Sequence, residues 1–250
     1  MKTVVSPYHF LLRPATPARG NVTVNVTDAL RHAIVTLQLK PGEVIDKGAI
    51  CDQLGVSRFP VSEALARLQA EGLVDILPQR GSTVSLVRIA DVREYMLIRK
   101  ALESEAVRVL VGSHDGAVVE ALRRNMSYQR AATEIDDGEG FHQRDLEFHD
   151  MIFGAMRLNK VKTVIESTRA NLDRARRLII SPRRVAFSMA EHQAVLDGII
   201  ADDAARAAAA MRRHIDTVMA ELLVFARETP ELFADGDSLM ASDADTFPFG

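Results

Sequence analysis

Apolar residues first recur at helical spacing in the stretch Leu30, Ile34 and Leu37, at i, i+4 and i+7, with Thr27 as the expected N-cap and Pro41-Gly42 as the stop. Ala49, Ile50 and Leu54 mark a short second helix closed by Gly55. Ser57 can cap a third, in which Val61, Leu65 and Leu68 share a face and Pro60 falls in the first turn, where proline is tolerated. The period then changes. Leu73–Leu77 and Thr83–Val87 are short apolar runs rich in β-branched residues on either side of Pro78-Gln79-Arg80-Gly81, which predicts a β-hairpin with a basic tip.

Beyond residue 88 no strand pattern recurs. Helical periodicity predicts helices near 91–111, 115–136, 140–156, 159–180, 184–200 and 202–227, separated by Gly112, Asp136-Asp137-Gly138, Asn159, Ser181-Pro182 and Asp202-Asp203. The fold class is therefore mainly α. The organisation expected is a flexible basic arm (1–20), a domain of three helices plus a hairpin (21–88), an all-helical bundle domain (91–228) and a disordered acidic tail (229–250).

Length and composition fit this division: 250 residues suit two domains, and 47% hydrophobic residues are too many for a disordered chain. A single cysteine, Cys51, excludes an intrachain disulfide; its neighbours Ile50 and Leu54 predict a buried thiol in a reducing compartment. No apolar run reaches the roughly 20 residues of a membrane span, and Ser6, Pro7 and His9 interrupt the apolar stretch near the start, so a cytoplasmic protein is expected. The net charge of −3 does not point to nucleic acid. Within 21–88, Arg31, Lys40, Lys47, Arg58, Arg67, Arg80 and Arg88 balance Asp28, Glu43, Asp46, Asp52, Glu63, Glu71 and Asp75, so pattern must decide.

Gly55-Val56-Ser57 supplies the short turn of a helix-turn-helix, which sends the start of its second helix into a major groove. Arg58 there would donate to a guanine edge or a phosphate, with Arg80 reaching the flanking backbone from the hairpin. The run from Leu54 to Leu65 (LGVSRFPVSEAL), followed by Leu68, Glu71-Gly72-Leu73-Val74 and Arg80-Gly81, resembles the GntR family of winged-helix regulators. The resemblance implies an operator-binding homodimer that meets DNA through Arg58, Lys47, Ser57, Phe59, Ser62, Gln79, Arg80 and Gly81. Phe59 stands where the family usually has threonine, Ser62 where it has a reading arginine and Gly48 where it has a charged residue, so the preferred operator departs from the family norm.

Asp145 and His149 lie four apart, on one helical face, where they can share an ion. His192 and His214 occur among apolar neighbours on later helices. A carboxylate and three imidazoles would form an open site suited to zinc, nickel, iron or manganese, but spacing across three helices does not itself bring them together. The C-terminal half resembles the FCD ligand-binding domain of the FadR branch, through Leu97–Glu103 (LIRKALE), Asp145–His149 (DLEFH) and the segments around His192 and His214. That resemblance implies a divalent metal, most simply zinc, on Asp145, His149, His192 and His214. It also places Arg99 toward the same cavity; since a cation with free positions attracts carboxylate oxygen, a small carboxylate effector clamped by Arg99 is expected, with Arg169 and Asn171, on the helix between the metal-bearing segments, as further candidate contacts. His142 shares the face of Asp145 and His149, where it could be a spare ligand or a partner behind the ligands, but a solvated histidine is expected. Two alternatives use the same residues: a metal-responsive regulator without an organic effector, and a metal-dependent hydrolase with Glu147 or Glu191 as acid or base. No nucleophile motif or phosphate loop supports the hydrolase, so a regulator and not an enzyme is expected. Ala204–Ala210 is read as a smooth surface for close helix packing.

Overall fold

The computed structural model describes residues 8–11, 21–77, 79–113 and 116–236, without the side chains of 21 and 167–169. The described chain is mainly α-helical and forms two compact units, one of residues up to 88 joined by 230–236, the other of 89–229.

The first unit comprises α1 (Asn21–Val35), β1 (Val44–Ile45), α2 (Lys47–Leu54), α3 (Arg58–Ala70), β2 (Val74–Leu77) and β3 (Gly81–Val84). Asp46 caps α2, its Oδ1 accepting from Gly48 N at 2.8 Å and Ala49 N at 3.0 Å, and Gly55 ends it in the left-handed region at φ 67°. Leu30, Ile34, Ile50, Val61, Leu65 and Leu68 are sealed between the three helices. The sheet is antiparallel in the order β1-β3-β2, with Val44 opposite Thr83 and Leu77 opposite Gly81.

Several expectations are corrected here. Helix α1 begins at Asn21, and Thr27 lies inside it, buried, because its Oγ1 donates to Thr23 O at 2.7 Å instead of capping an end. Strand β1 is too short to show a period. Cys51 is half-buried rather than enclosed. Tyr8 and Leu11, assigned to a flexible arm, are 2% and 1% exposed. Tyr8 Oη accepts from Asp46 N at 2.7 Å, and Gln53 Nε2 donates to Leu11 O at 3.3 Å. The rest of the arm, 1–7 and 12–20, lies outside the described residues. The supposed disordered tail likewise begins with structure: Pro230–Leu232 form a 3₁₀ turn, Val87 N donates to Leu232 O (3.0 Å), Ala234 N donates to Val87 O (2.8 Å), and Phe233 is buried. Residues 237–250 lie outside the described residues.

The second unit contains α4 (Ile89–Leu110), α5 (Ala117–Glu134), α6 (Gly138–Ala155), α7 (Asn159–Leu178), α8 (Pro182–Ile200) and α9 (Ala204–Glu228). Local chemistry sets the starts of the helices that carry the site. Asp137 accepts from Gly140 N to open α6, Ser181 accepts from Arg184 N to open α8 behind Pro182, and Asp203 accepts from Arg206 N to open α9. Helices α8 and α9 approach so closely that a Cβ on Gly198 would stand 2.7 Å from Ala207 Cα, which gives the Ala204–Ala210 surface its use.

Candidate metal centre and DNA-reading face

On α3, Val61, Ala64, Leu65 and Leu68 face the core while Arg58, Phe59, Ser62, Ala66 and Gln69 face water. Ser57 precedes the helix in extended conformation and is exposed, without a side-chain capping bond. Lys47, the first residue of α2, is half-buried. At the hairpin tip Gln79 (φ 63°) and Gly81 (φ 96°) turn the chain through the left-handed region, leaving Arg80 exposed between them; Pro78 lies outside the described residues. Arg58 and Arg80 enter no ion pair among the described residues.

In the helical unit, Asp145 and His149 on α6, His192 on α8 and His214 on α9 come together, all at most 4% exposed, and one donor atom from each lies within 4.8 Å of the others. Each imidazole is held from behind. His192 Nδ1 is 3.0 Å from Gln129 Oε1 and His214 Nδ1 is 2.8 Å from Glu191 Oε2. Glu103 Oε2 lies 2.7 Å from His149 Nδ1, close enough to keep the proton there though not aligned as a good hydrogen bond. These acceptors assign the proton to Nδ1 and leave three Nε2 lone pairs pointing inward. Asp145 uses Oδ2 to accept from Arg176, while its Oδ1 stands 3.4 Å from His192 Nε2.

Asp145 Oδ1 and the three Nε2 atoms have no hydrogen-bond partner among the described residues. Four buried acceptors facing one another are a donor set that could hold a metal ion. Protonation is disfavoured: burial, reinforced by His214, holds the His192 imidazole well below its ordinary range, and burial with His149 does the same to His214. Burial would raise the Asp145 carboxyl, but Arg176 and the surrounding imidazoles hold it well below the usual carboxylate range, ready to ligate. Ligands about 2.1 Å from one ion lie within about 4.2 Å of each other, so this donor set needs only slight contraction to fit one.

Two matches account for most of the chain: residues 23–84 fit the gntR family of bacterial regulatory proteins, and 94–217 fit the FCD domain. Over 226 residues the sequence is 36% identical to an HTH-type transcriptional regulator from an unstable DNA locus of Streptomyces ambofaciens, spanning 88% of this chain and 89% of that one. The chain belongs to the gntR family. The HTH-type transcriptional repressor RspR of Escherichia coli is 26% identical over 227 residues, covering 90% of this chain and 97% of its own. A GntR transcriptional regulator from Rhodococcus sp. RHA1 shares the fold, with a TM-score of 0.69 at 21% identity over 81% of this chain and 97% of that one. This GntR-family member is a DNA-binding transcription regulator and not an enzyme. Among its described residues no helix is long and apolar enough to cross a membrane.

Its FCD domain also shows residues that sequence reading passed over. Arg176, Gln129 and Glu103 orient the candidate ligands; so does Glu191, considered only as an acid or base. Glu147, the other nominated acid, is paired with Arg144 at 2.7 Å, half-exposed. His142, expected to be solvated, is 2% exposed, and burial together with Arg176 lowers its pKa to about 3. Arg99, Glu103, His149, Asp173 and Arg176 line one small pocket, partly open to solvent. Arg99 is buried there with its Nε 2.5 Å and Nη2 3.2 Å from Glu103, so much of its donor capacity is engaged. Asn171 on α7 is half-buried and accepts from Arg174 at 3.3 Å. The Arg169 side chain lies outside the described residues.

Proposed function

We propose that this regulator is a cytoplasmic homodimer whose operator affinity is set by a small carboxylate bound at a divalent metal centre. The observation that carries the metal reading is the convergence of Asp145 Oδ1 with the Nε2 atoms of His149, His192 and His214, all buried and unpartnered. Zinc is the simplest ion for this donor set; nickel, iron or manganese would also suit it. A cation held there supplies positive charge and free coordination positions, which attract carboxylate oxygen. The chain's own residues do the rest. Gln129, Glu191 and Glu103 fix the imidazole tautomers, Arg176 holds Asp145, and Arg99, on the wall shared with His149, donates to the acid once part of its pairing with Glu103 is exchanged. On DNA, Arg58 is the base-reading residue, with Lys47, Ser57, Phe59, Ser62, Gln79, Arg80 and Gly81 completing the surface. The acid changes operator affinity to the extent that it prefers one arrangement of the protein over another.

Elemental analysis of protein purified without chelator tests the centre: about one ion per chain is expected for the parent and none for a His192→Ala/His214→Ala variant. Equal metal in both would end the metal reading. Hydroxy, keto and sugar acids are then screened on the metal-loaded protein by thermal shift and operator release, in the parent and in Arg99→Ala. If the metal alone changes operator affinity and no acid does, a metal-responsive regulator replaces the carboxylate reading.

A further inference from the structure

We infer that Phe59 is a specificity determinant that packs its ring on a thymine C5-methyl group in the operator's major groove. Phe59 is the second residue of α3 and 75% exposed, an exposure that only Ile135 equals among the large apolar side chains described. A ring of this size normally sheds most of its contact with water, so one left outside on a binding face marks where a partner's apolar surface belongs.

The surroundings define that partner. Phe59, Ser62, Ala66 and Gln69 form one exposed stripe of α3, opposite the buried stripe of Val61, Leu65 and Leu68. The stripe has no carboxylate. Glu63, nearest in sequence, is turned aside, accepting from Arg67 at 2.7 Å and Thr23 at 3.2 Å. Arg58, adjacent to Phe59, enters no ion pair among the described residues. An apolar ring beside an uncommitted guanidinium, on a face without acids, is complementary to a polyanion carrying a small apolar feature. In a major groove that feature is the thymine methyl, since the other edge groups at A·T and G·C pairs are hydrogen-bond donors and acceptors that a phenyl ring cannot satisfy. Arg58 would address a guanine or phosphate while Phe59 addresses a thymine in a neighbouring base pair. The serine at position 62 leaves room beside the ring. This reading rests on DNA binding by α3 alone and is independent of the metal and effector.

The test begins with selection of the preferred duplex from a random pool by the full-length protein. Each thymine in that duplex is then replaced singly by deoxyuridine, which removes only the methyl, and binding is measured at fixed salt for the parent and Phe59→Ala. One thymine in each contacted segment is expected at which deoxyuridine weakens the parent about fourfold, the value of one buried methyl. The same replacement should leave Phe59→Ala unchanged. Thermal unfolding of Phe59→Ala should match the parent, because the ring is exposed. The inference is overturned if no deoxyuridine replacement weakens the parent, or if Phe59→Ala responds to each replacement as the parent does. A variant that loses equal affinity for thymine and deoxyuridine duplexes overturns it too, since the ring would then touch sugar or phosphate instead.

Discussion

In the N-terminal unit most residues proposed to act stand in water: Arg58, Phe59, Ser62 and Arg80 are exposed, and among the described residues the polar groups that its buried side chains carry are hydroxyls, those of Tyr8, Thr27, Ser82 and Ser85. In the helical unit the reverse holds. Arg99, Glu103, Asp145, His149, Arg176, His192 and His214 are each no more than 6% exposed; Arg99 and His149 lie against Glu103, Arg176 pairs with Asp145, and Gln129 and Glu191 hold His192 and His214. A surface that meets a long polyanion gains by keeping its cations uncommitted until contact, whereas a site for a small ion must be assembled beforehand, with every charge compensated inside the bundle. The two units should therefore fail differently when charge is altered.

The largest difference should come from acid acting on the metal-free protein. Burial keeps His142, His192 and His214 neutral in the folded state, while the unfolded chain binds their protons near pH 6.5. Their folded pKa values are depressed, so stability is intact above about pH 6.5 and is lost as pH falls below it, by about 2 kcal/mol per imidazole between pH 7 and 5. Asp145 and Glu103, also depressed, add to the loss only below about pH 4. The two histidines described in the first unit, His9 and His32, are exposed. Chelated protein followed by unit-resolved hydrogen exchange should show the helical unit opening first on acidification. Simultaneous opening of both would break the contrast.

Next in size is Glu103→Leu, which strands the buried Arg99 guanidinium and takes the acceptor from His149; it should cost about 3–5 kcal/mol in urea unfolding. A loss below about 1 kcal/mol would mean that the bundle's charges are not mutually dependent. Leu11→Ala should cost the first unit about 2–4 kcal/mol, as for any enclosed leucine, and no change would return residues 8–11 to the status of a loose arm. Smallest is Arg58→Ala. It should lose about 1–3 kcal/mol of specific operator binding with a melting temperature like the parent's, and equal binding at matched salt would remove Arg58 from the reading face.

The first unit was legible where its structure is local. Gly55, Pro60 and the apolar periods sit inside the segments they shape, so helices α2 and α3 and the hairpin follow from short windows. Tyr8 and Phe233 defeated that reading because their partners, Asp46 and Val87, are far away in sequence, and proline and glycine around them imitate loop composition. In the second unit the pair Asp145 and His149 was legible from one helical turn, while His192 and His214 joined them only through family resemblance. The residues behind the ligands had no local mark at all. Glu191 shows why: it adjoins His192, yet side chains one apart on a helix point in different directions, so it serves His214 on α9 instead.

The return of Pro230–Gly236 to Val87 changes what counts as a module. The DNA-reading unit is discontinuous in the gene: its last piece is encoded after the whole helical unit, and Val87 donates and accepts along a seam that this piece closes. An expression fragment ending at residue 88 would bare that seam together with the slot of Phe233, and a chimera grafting these first 88 residues onto another helical domain would inherit the same exposed edge. Exchange of the reading head between regulators of this architecture must therefore carry residues 230–236 along, fused at a second junction.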